Sequence, residues 1–200
     1  MNKGSLVIIS GPSGAGKDAV LNGVFKKLPD IRFSISSVSR AMREGEVEGE
    51  KYNFITREKF EDMIKNDKLL EYNVYCNNYY GTPSEPVEKA ISEGSDIILE
   101  VDVNGAANVR KKCSDNFSIF ILPPSFEVLK NRLINRGTET MDVIEKRLNQ
   151  AKEELKRANE YDYIVVNDDL QTAIDEVCDI ILTERHKTVR CNDILSEFNF

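Results

Sequence analysis

The chain has 200 residues, 40% hydrophobic and 30% charged, which suits a single water-soluble globular domain and is neither disordered nor membrane-like in composition. Against 34 acidic residues stand 27 basic ones, a formal charge of −7. No global cationic field therefore exists to gather nucleic acid or an anionic membrane, and any anion must be met by a local basic cluster.

Four widely spread cysteines, Cys76, Cys113, Cys178 and Cys191, with His186 as the one histidine, argue against a disulfide framework or a zinc site. The first apolar run, Leu6 to Ile9, is too short for a signal-peptide core or a membrane span, which makes the cytoplasm the default compartment. That run reads as a buried strand. Gly11, Gly14 and Gly16 follow, and then Val20, Leu21, Val24, Phe25 and Leu28 recur at helical spacing until Pro29. Phe33 to Ser39 predicts a second strand, and Arg40 to Lys51 a charged loop outside any core.

Thr56 is a candidate N-cap for a helix through Phe60, Met63 and Ile64. A strand over Leu69 to Tyr75 and a turn at Asn77 and Asn78 come next, then a helix from near Pro83 to before Gly94. Asp96 to Asp102 and Phe117 to Leu122 read as buried strands with a helix between them. After Pro123 and Pro124 a helix carries Phe126, Leu129 and Leu133, and Arg136, Gly137 and Thr138 interrupt it. Met141, Ile144, Leu148, Ala151 and Leu155 mark a long helix, Tyr163 to Val166 a last strand and Leu170 to Leu182 a last helix; residues 185–200 show no pattern. Strands alternating with helices predict an α/β fold whose parallel sheet is covered on both faces.

Gly11-Pro12-Ser13-Gly14-Ala15-Gly16-Lys17 is the phosphate-binding G-x-x-x-x-G-K signature. The bare pattern arises by chance in roughly one chain in twenty of this length, so its place between strand and helix decides in its favour. Backbone N–H groups converge there on phosphate oxygens, the helix N-terminus adds positive potential, and Lys17 supplies a point charge. The usual Ser or Thr after the lysine, a Mg²⁺ ligand, is replaced by Asp18. A carboxylate is also an oxygen ligand for Mg²⁺ and suits the first turn of a helix, although it adds negative charge beside a triphosphate. Asp18 is expected to hold the ion, directly or through water.

A second anion site is predicted after the second strand, where Ser36, Arg40, Arg43, Glu46 and Tyr52 lie, with Tyr80 further on. Guanidinium groups grip phosphate bidentately and phenols donate to it. Alone, two arginines in a charged loop are more simply a solvated surface. Arg132 and Arg136 are four apart on one predicted helix and Arg147 follows across the glycine break, so the three can close over a transferring phosphoryl group; surface ion pairing is the plainer alternative for any one of them. Glu100 and Asp102 sit two apart at the end of a predicted strand, on one side of it, where parallel sheets bind ligands. Asn167 and Asp168 end the last strand, with an N-cap role as the competing reading.

With these blocks in order, the chain resembles the guanylate kinase family of nucleoside monophosphate kinases from Leu6 to about Leu182. The resemblance rests on GPSGAGK at 11–17, SSVSRAMREGEVEGEKYNF at 36–54, LEYNVYCNNYYGTP at 70–83, LEVDVNGA at 99–106, ILPPS at 121–125, RLINRGTET at 132–140 and IVVNDDL at 164–170. It implies a P-loop kinase with a parallel sheet core flanked by helices (1–35, 93–125 and 159–184), a small GMP-binding region (36–92), a helical lid (126–158) and a C-terminal extension (185–200). It also implies transfer of the γ-phosphoryl of Mg·ATP to GMP, with dGMP left open as acceptor.

By the same resemblance ATP is held by Gly11, Pro12, Ser13, Gly14, Ala15, Gly16, Lys17, Asp18, Ala19, Asn167 and Asp168. Arg40, Arg43, Tyr52 and Tyr80 hold the GMP phosphate, Ser36, Glu71 and Thr82 read guanine, and Glu46, Gly81, Glu100 and Asp102 border that nucleotide. Lys17, Arg40, Arg132, Arg136 and Arg147 carry catalysis. Physically, one carboxylate at Glu71 can accept from both guanine N1–H and N2–H, whereas adenine would leave it unpaired. Val38, Ala41 and Met42 depart from the threonines and proline common in the family's GMP loop. Two rivals remain: a ribosyl bisphosphate-type sugar phosphokinase, suggested by Asp18, and a non-catalytic guanylate-kinase-like interaction module, disfavoured by Lys17 and the lid arginines.

Overall fold

The structure, a computed structural model, describes residues 3–135 and 140–190. Five strands form a parallel sheet in the order β2-β7-β1-β8-β9: β1 (Leu6–Ser10), β2 (Arg32–Phe33), β7 (Ile97–Glu100), β8 (Asn116–Leu122) and β9 (Tyr163–Val166). All five residues of β1 are buried, so successive side chains feed two opposite cores.

On one face Val7 and Ile9 pack with Val20, Leu21 and Val24 of α1 (Lys17–Lys27) and with Ala173, Ile174, Val177 and Ile181 of α7 (Leu170–Arg185). On the other, Leu6, Ile8 and Leu99 meet Val87 and Ala90 of α3 (Ser84–Ser92) and Val103, Ala106 and Val109 of α4 (Val103–Lys112). Each such fully buried aliphatic side chain contributes about 1.5–3 kcal/mol relative to exposure. This doubly covered parallel sheet is the α/β architecture expected from the alternating pattern.

A second, four-stranded sheet has the order β4-β3-β6-β5, made of β3 (Ser36–Val38), β4 (Tyr52–Phe54), β5 (Leu69–Tyr75) and β6 (Asn78–Pro83). The single strand expected over Phe33 to Ser39 is in fact two. Phe33 pairs with Ile98 in the core sheet, whereas Ser37 and Val38 pair with Gly81 and Tyr80 in the second. The chain changes sheets at Ser34 and Ile35, and the apolar-polar alternation shifts phase just after, at the consecutive Ser36 and Ser37. The turn falls one residue earlier than expected: Cys76 and Asn77 take positive φ (47° and 61°), the two-residue turn that matches strand twist, and Asn78 already belongs to β6.

α2 (Arg57–Lys65) is capped by Thr56 and buries Phe60, as read from its spacing. α5 (Phe126–Asn135) and α6 (Met141–Leu155) form a helical pair beside the glycine loop. The segment 136–139, and with it Arg136, lies outside the described residues, as does Cys191. α7 runs on to Arg185, and a short 3₁₀ turn covers Thr188–Arg190 within the segment that showed no sequence pattern. Among the described residues no helix is long and apolar enough to cross a membrane.

Candidate active site

The glycine loop leaves β1 and enters α1 as its pattern predicts. Gly11, Gly14 and Gly16 have φ of 154°, 94° and 89°. At Gly16 a Cβ would lie 2.3 Å from Asn167 Nδ2, so conformation and space both demand glycine there. No side chain caps α1, which leaves its first-turn N–H groups for a ligand, whereas α2, α4 and α7 are capped by Thr56, Asp102 and Asp169.

Lys17 Nζ donates to Gly11 O at 2.7 Å and lies across the loop. Two further arms brace it. Asn167 Nδ2 donates to Ala15 O at 2.8 Å, and Arg132 donates to Ala15 O at 3.3 Å and to Asn167 O at 2.9 Å. Arg132 thus grips backbone rather than facing open solvent, and a cavity of about 380 Å³ beside it is lined by Gly14, Gly16, Arg132 and Asn135. Asn167 does not cap α7; Asp169 does, accepting from Thr172 N at 2.8 Å. Asp168 is exposed beside it. From α6, Arg147 donates to Ser13 Oγ, so the helix after the break already touches the loop.

In the second sheet, Arg40 is the most organised cation. Nε donates to Tyr80 OH at 3.2 Å, Nη1 to Glu46 at 2.6 Å and to Ala41 O at 3.0 Å, and Nη2 to Glu46 at 2.6 Å. Its guanidinium lies 5.3 Å from the Tyr52 ring centroid and 5.4 Å from that of Phe54. Four of its five hydrogens are taken, which leaves one N–H with the Tyr80 and Tyr52 hydroxyls for an incoming anion. Glu46 is therefore the anchor of Arg40. The hydrogen bonds from Arg40 and from Arg43 N hold its carboxyl down at about 2. The Arg43 side chain is exposed; Arg43 joins this cluster through its backbone N–H and through its charge, which also lowers Glu46.

Ser36 opens β3 opposite Tyr52, half-buried. Glu71 and Thr82 are cross-strand partners on β5 and β6; Thr82 Oγ1 donates to Glu71 Oε1 at 2.7 Å, and Glu71 is only 9% exposed. A Cβ at Gly105 would stand 3.1 Å from Glu71 Oε2, so glycine at the start of α4 leaves room for the carboxylate. Burial first, and then the charge of Asp102, push the Glu71 carboxyl up to about 7 against the Thr82 hydrogen bond.

Asp102 is not on a strand with Glu100, as its spacing suggested. β7 stops at Glu100, and Asp102 caps α4 through Asn104 N and Gly105 N, with its other oxygen receiving Asn73 Nδ2 at 3.1 Å. Glu100 is pushed up by burial, opposed by Lys17 and Lys51 and aided by Asp18.

Two features join the halves. Glu154 of α6 is raised by burial while feeling both Lys17 and Asp102, so the glycine loop, α6 and the start of α4 share one electrostatic space. Lys51, at the end of the exposed loop, forms an ion pair with Asp18. Lys51, Asn73 and Glu154 were not flagged by the sequence, since each gains meaning only from a partner distant in the chain.

Among the described residues no group of three or more His, Cys, Asp or Glu is placed to hold a metal ion by itself. Mg²⁺ in phosphoryl transfer needs only one or two carboxylates beside the substrate phosphates, and Asp18 and Glu100, each within reach of the other's charge, fit that donor set.

A parallel sheet with a glycine loop at the end of its first strand, facing an arginine-and-tyrosine cluster under a helical pair, defines the class of P-loop kinases. The family model for guanylate kinase matches residues 3–184. The guanylate kinase of Desulfitobacterium hafniense is 44% identical over 189 residues, covering 94% of each chain, and that of Bacillus anthracis is 47% identical over 190 residues, covering 94% of this chain and 92% of the relative. The crystal structure of guanylate kinase from Anaplasma phagocytophilum superposes with a TM-score of 0.77 at 32% identity, covering 94% of this chain and 90% of that one. The chain belongs to the guanylate kinase family.

Proposed function

We propose that this protein transfers the γ-phosphoryl group of Mg·ATP to GMP, yielding ADP and GDP. The observation that carries the assignment is the buried Glu71–Thr82 pair on the sheet facing the glycine loop. A carboxylate paired with a hydroxyl matches the adjacent N1–H and N2–H donors of guanine and penalises adenine, which would leave a buried charge unpaired. Arg40, Tyr80 and Tyr52 hold the monophosphate, and Ser36 borders the base.

The acceptor phosphate oxygen attacks the γ-phosphorus in line; the new P–O bond forms as the bond to the β-phosphate oxygen breaks, and ADP leaves. The acceptor is already an anionic nucleophile, so positioning and charge stabilisation carry the rate and no covalent enzyme intermediate is needed. Lys17 and the loop N–H groups hold the donor phosphates. Arg132 and Asn167 keep the loop in shape, and Arg147, delivered by α6, meets the charge of the moving group. Asp18 and Glu100 would hold the Mg²⁺, which when bound neutralises phosphate charge. Closure of the helical pair excludes water and so suppresses hydrolysis of ATP.

An ADP-release assay offering GMP, dGMP, AMP and ribose 1,5-bisphosphate in turn tests the assignment. Turnover with the guanine nucleotides alone is the expected result. Turnover only with the sugar bisphosphate would place the protein among sugar phosphokinases, and none with any acceptor would make it an interaction module.

A further inference from the structure

Asp18 is an anomaly in its own loop. It puts a carboxylate where a hydroxyl is usual, beside the space in which a triphosphate must lie, and the repulsion calls for compensation. The structure supplies it from 33 residues away, through Lys51. Lys51 comes from the loop before β4, and its neighbours belong to the acceptor side. Its carbonyl accepts from Ser36 N at 3.3 Å, and the next residue, Tyr52, packs its ring against Arg40 and against Tyr80. Glu100 acts on Lys51 as well and is itself within reach of Lys17 and Asp18. Two cations and two carboxylates from three elements therefore balance at the junction of donor and acceptor sites.

We propose that Lys51 is a positioning residue of the donor site: it acts through Asp18, cancelling that carboxylate's charge beside the donor phosphates, and ties the glycine loop to the acceptor-binding sheet. The inference rests on the phosphotransfer assignment for its biological meaning. Both side chains are 57% exposed, so the pair adds little to the stability of the empty protein. Its effect appears when nucleotide enters and water leaves, because screening falls and an uncancelled carboxylate then opposes each phosphate oxygen. The pairing also explains how a P-loop tolerates aspartate at this position: with Oδ1 taken by Lys51, Asp18 keeps Oδ2 for the metal, and Lys51 restores the charge balance that a hydroxyl would have left neutral.

A double-mutant cycle read by calorimetric ADP binding, with and without Mg²⁺, tests this. Lys51→Met is expected to weaken ADP binding about tenfold without Mg²⁺, and less with it, because the metal takes over the neutralisation. Asp18→Ser is expected to tighten metal-free ADP binding, a change of opposite sign that loss of folding cannot imitate. The double variant Asp18→Ser/Lys51→Met is expected within about twofold of wild type, and Lys51→Arg close to it.

Thermal melting of the empty proteins should stay nearly level across the set, separating a charge effect from a structural one. Unchanged ADP affinity in Lys51→Met, or a double variant that binds ADP as weakly as Lys51→Met alone, overturns the proposal. ADP release with GMP, measured on the same wild-type preparation, stands apart from the cycle. Its absence would overturn the phosphotransfer assignment, while the binding cycle still decides the Lys51–Asp18 coupling.

Discussion

Glu71 carries a carboxylate shielded from water and faced by a second acid, Asp102, so its proton is held to about pH 7 where a free glutamate would have lost it near 4.5. Between those values the folded state keeps a proton that the unfolded chain has released, so stability falls as pH rises from about 4.5 to 7 and levels off above. Glu71→Gln removes that dependence while keeping an oxygen for the Thr82 hydroxyl. Expected is a gain in unfolding free energy at pH 8 of up to roughly 3 kcal/mol, shrinking toward zero at pH 5, read by denaturant titration at both values. Guanine binding runs the other way. Its two donors need the ionised carboxylate, so the affinity of wild type for guanosine should fall as pH drops below 7, and that dependence should vanish in Glu71→Gln. Equal pH profiles for the two proteins would mean that Glu71 does not face the base.

At the scale of elements, the close approach of α1 and α7 depends on Gly23. A Cβ there would lie 2.2 Å from Ile174 Cδ1 and 2.6 Å from Cγ1, so the two helices meet with no room for a methyl group. Gly23→Ala should cost about 1–3 kcal/mol through overpacking, outweighing alanine's better helix propensity. Trimming the partner in Gly23→Ala/Ile174→Val should recover part of it in chemical denaturation; equal losses in single and double variants would rule the contact out.

The core elements are those that the sequence shows most plainly. β1 and β7 are short aliphatic runs, because strands covered on both faces need apolar side chains throughout, and β8 and the edge strand β9, which leaves Ile164 and Val166 exposed, are still mostly apolar. The second sheet was harder to see. β4 is Tyr-Asn-Phe, and β6 holds Gly81 and ends at Pro83, residues that ordinarily argue against a strand. The switch between β2 and β3 leaves only a one-residue phase shift, at Ser36 and Ser37, with no glycine or proline to mark it. At the site, the glycine loop was legible because its chemistry is local. Asp102 was misplaced by two residues of geometry, since β7 stops before it and a capping oxygen looks like a strand carboxylate from spacing alone. Lys51 could not be read at all, as its meaning comes from Asp18 in another layer.

For the whole molecule, Leu70 of β5 packs into the core beside α4, and at the cleft the regions meet through polar groups: Lys51 with Asp18, Arg147 with Ser13, and Glu154 between Lys17 and Asp102. Arg147 also lies near enough to Tyr75, at the tip of the β5–β6 hairpin, to act on its phenol. On the proposed assignment the helical pair, the loop and the acceptor sheet border the space that the nucleotides would fill, so one nucleotide is expected to order part of the surface that the other needs. ADP and GMP together form a complex that cannot turn over, which makes the coupling measurable at equilibrium. GMP should bind about five- to tenfold more tightly when ADP is present, and by linkage ADP should tighten by the same factor when GMP is present. Arg147→Met removes one of the contacts of the helical pair with the loop, leaving those of Arg132 and Glu154 and without touching Glu71 or Arg40, so it should reduce the coupling while changing GMP affinity in the absence of ADP by no more than about twofold. Calorimetric titrations of each nucleotide with and without the other measure all four constants. Coupling that survives intact in Arg147→Met would mean that the loop and the acceptor sheet communicate without Arg147.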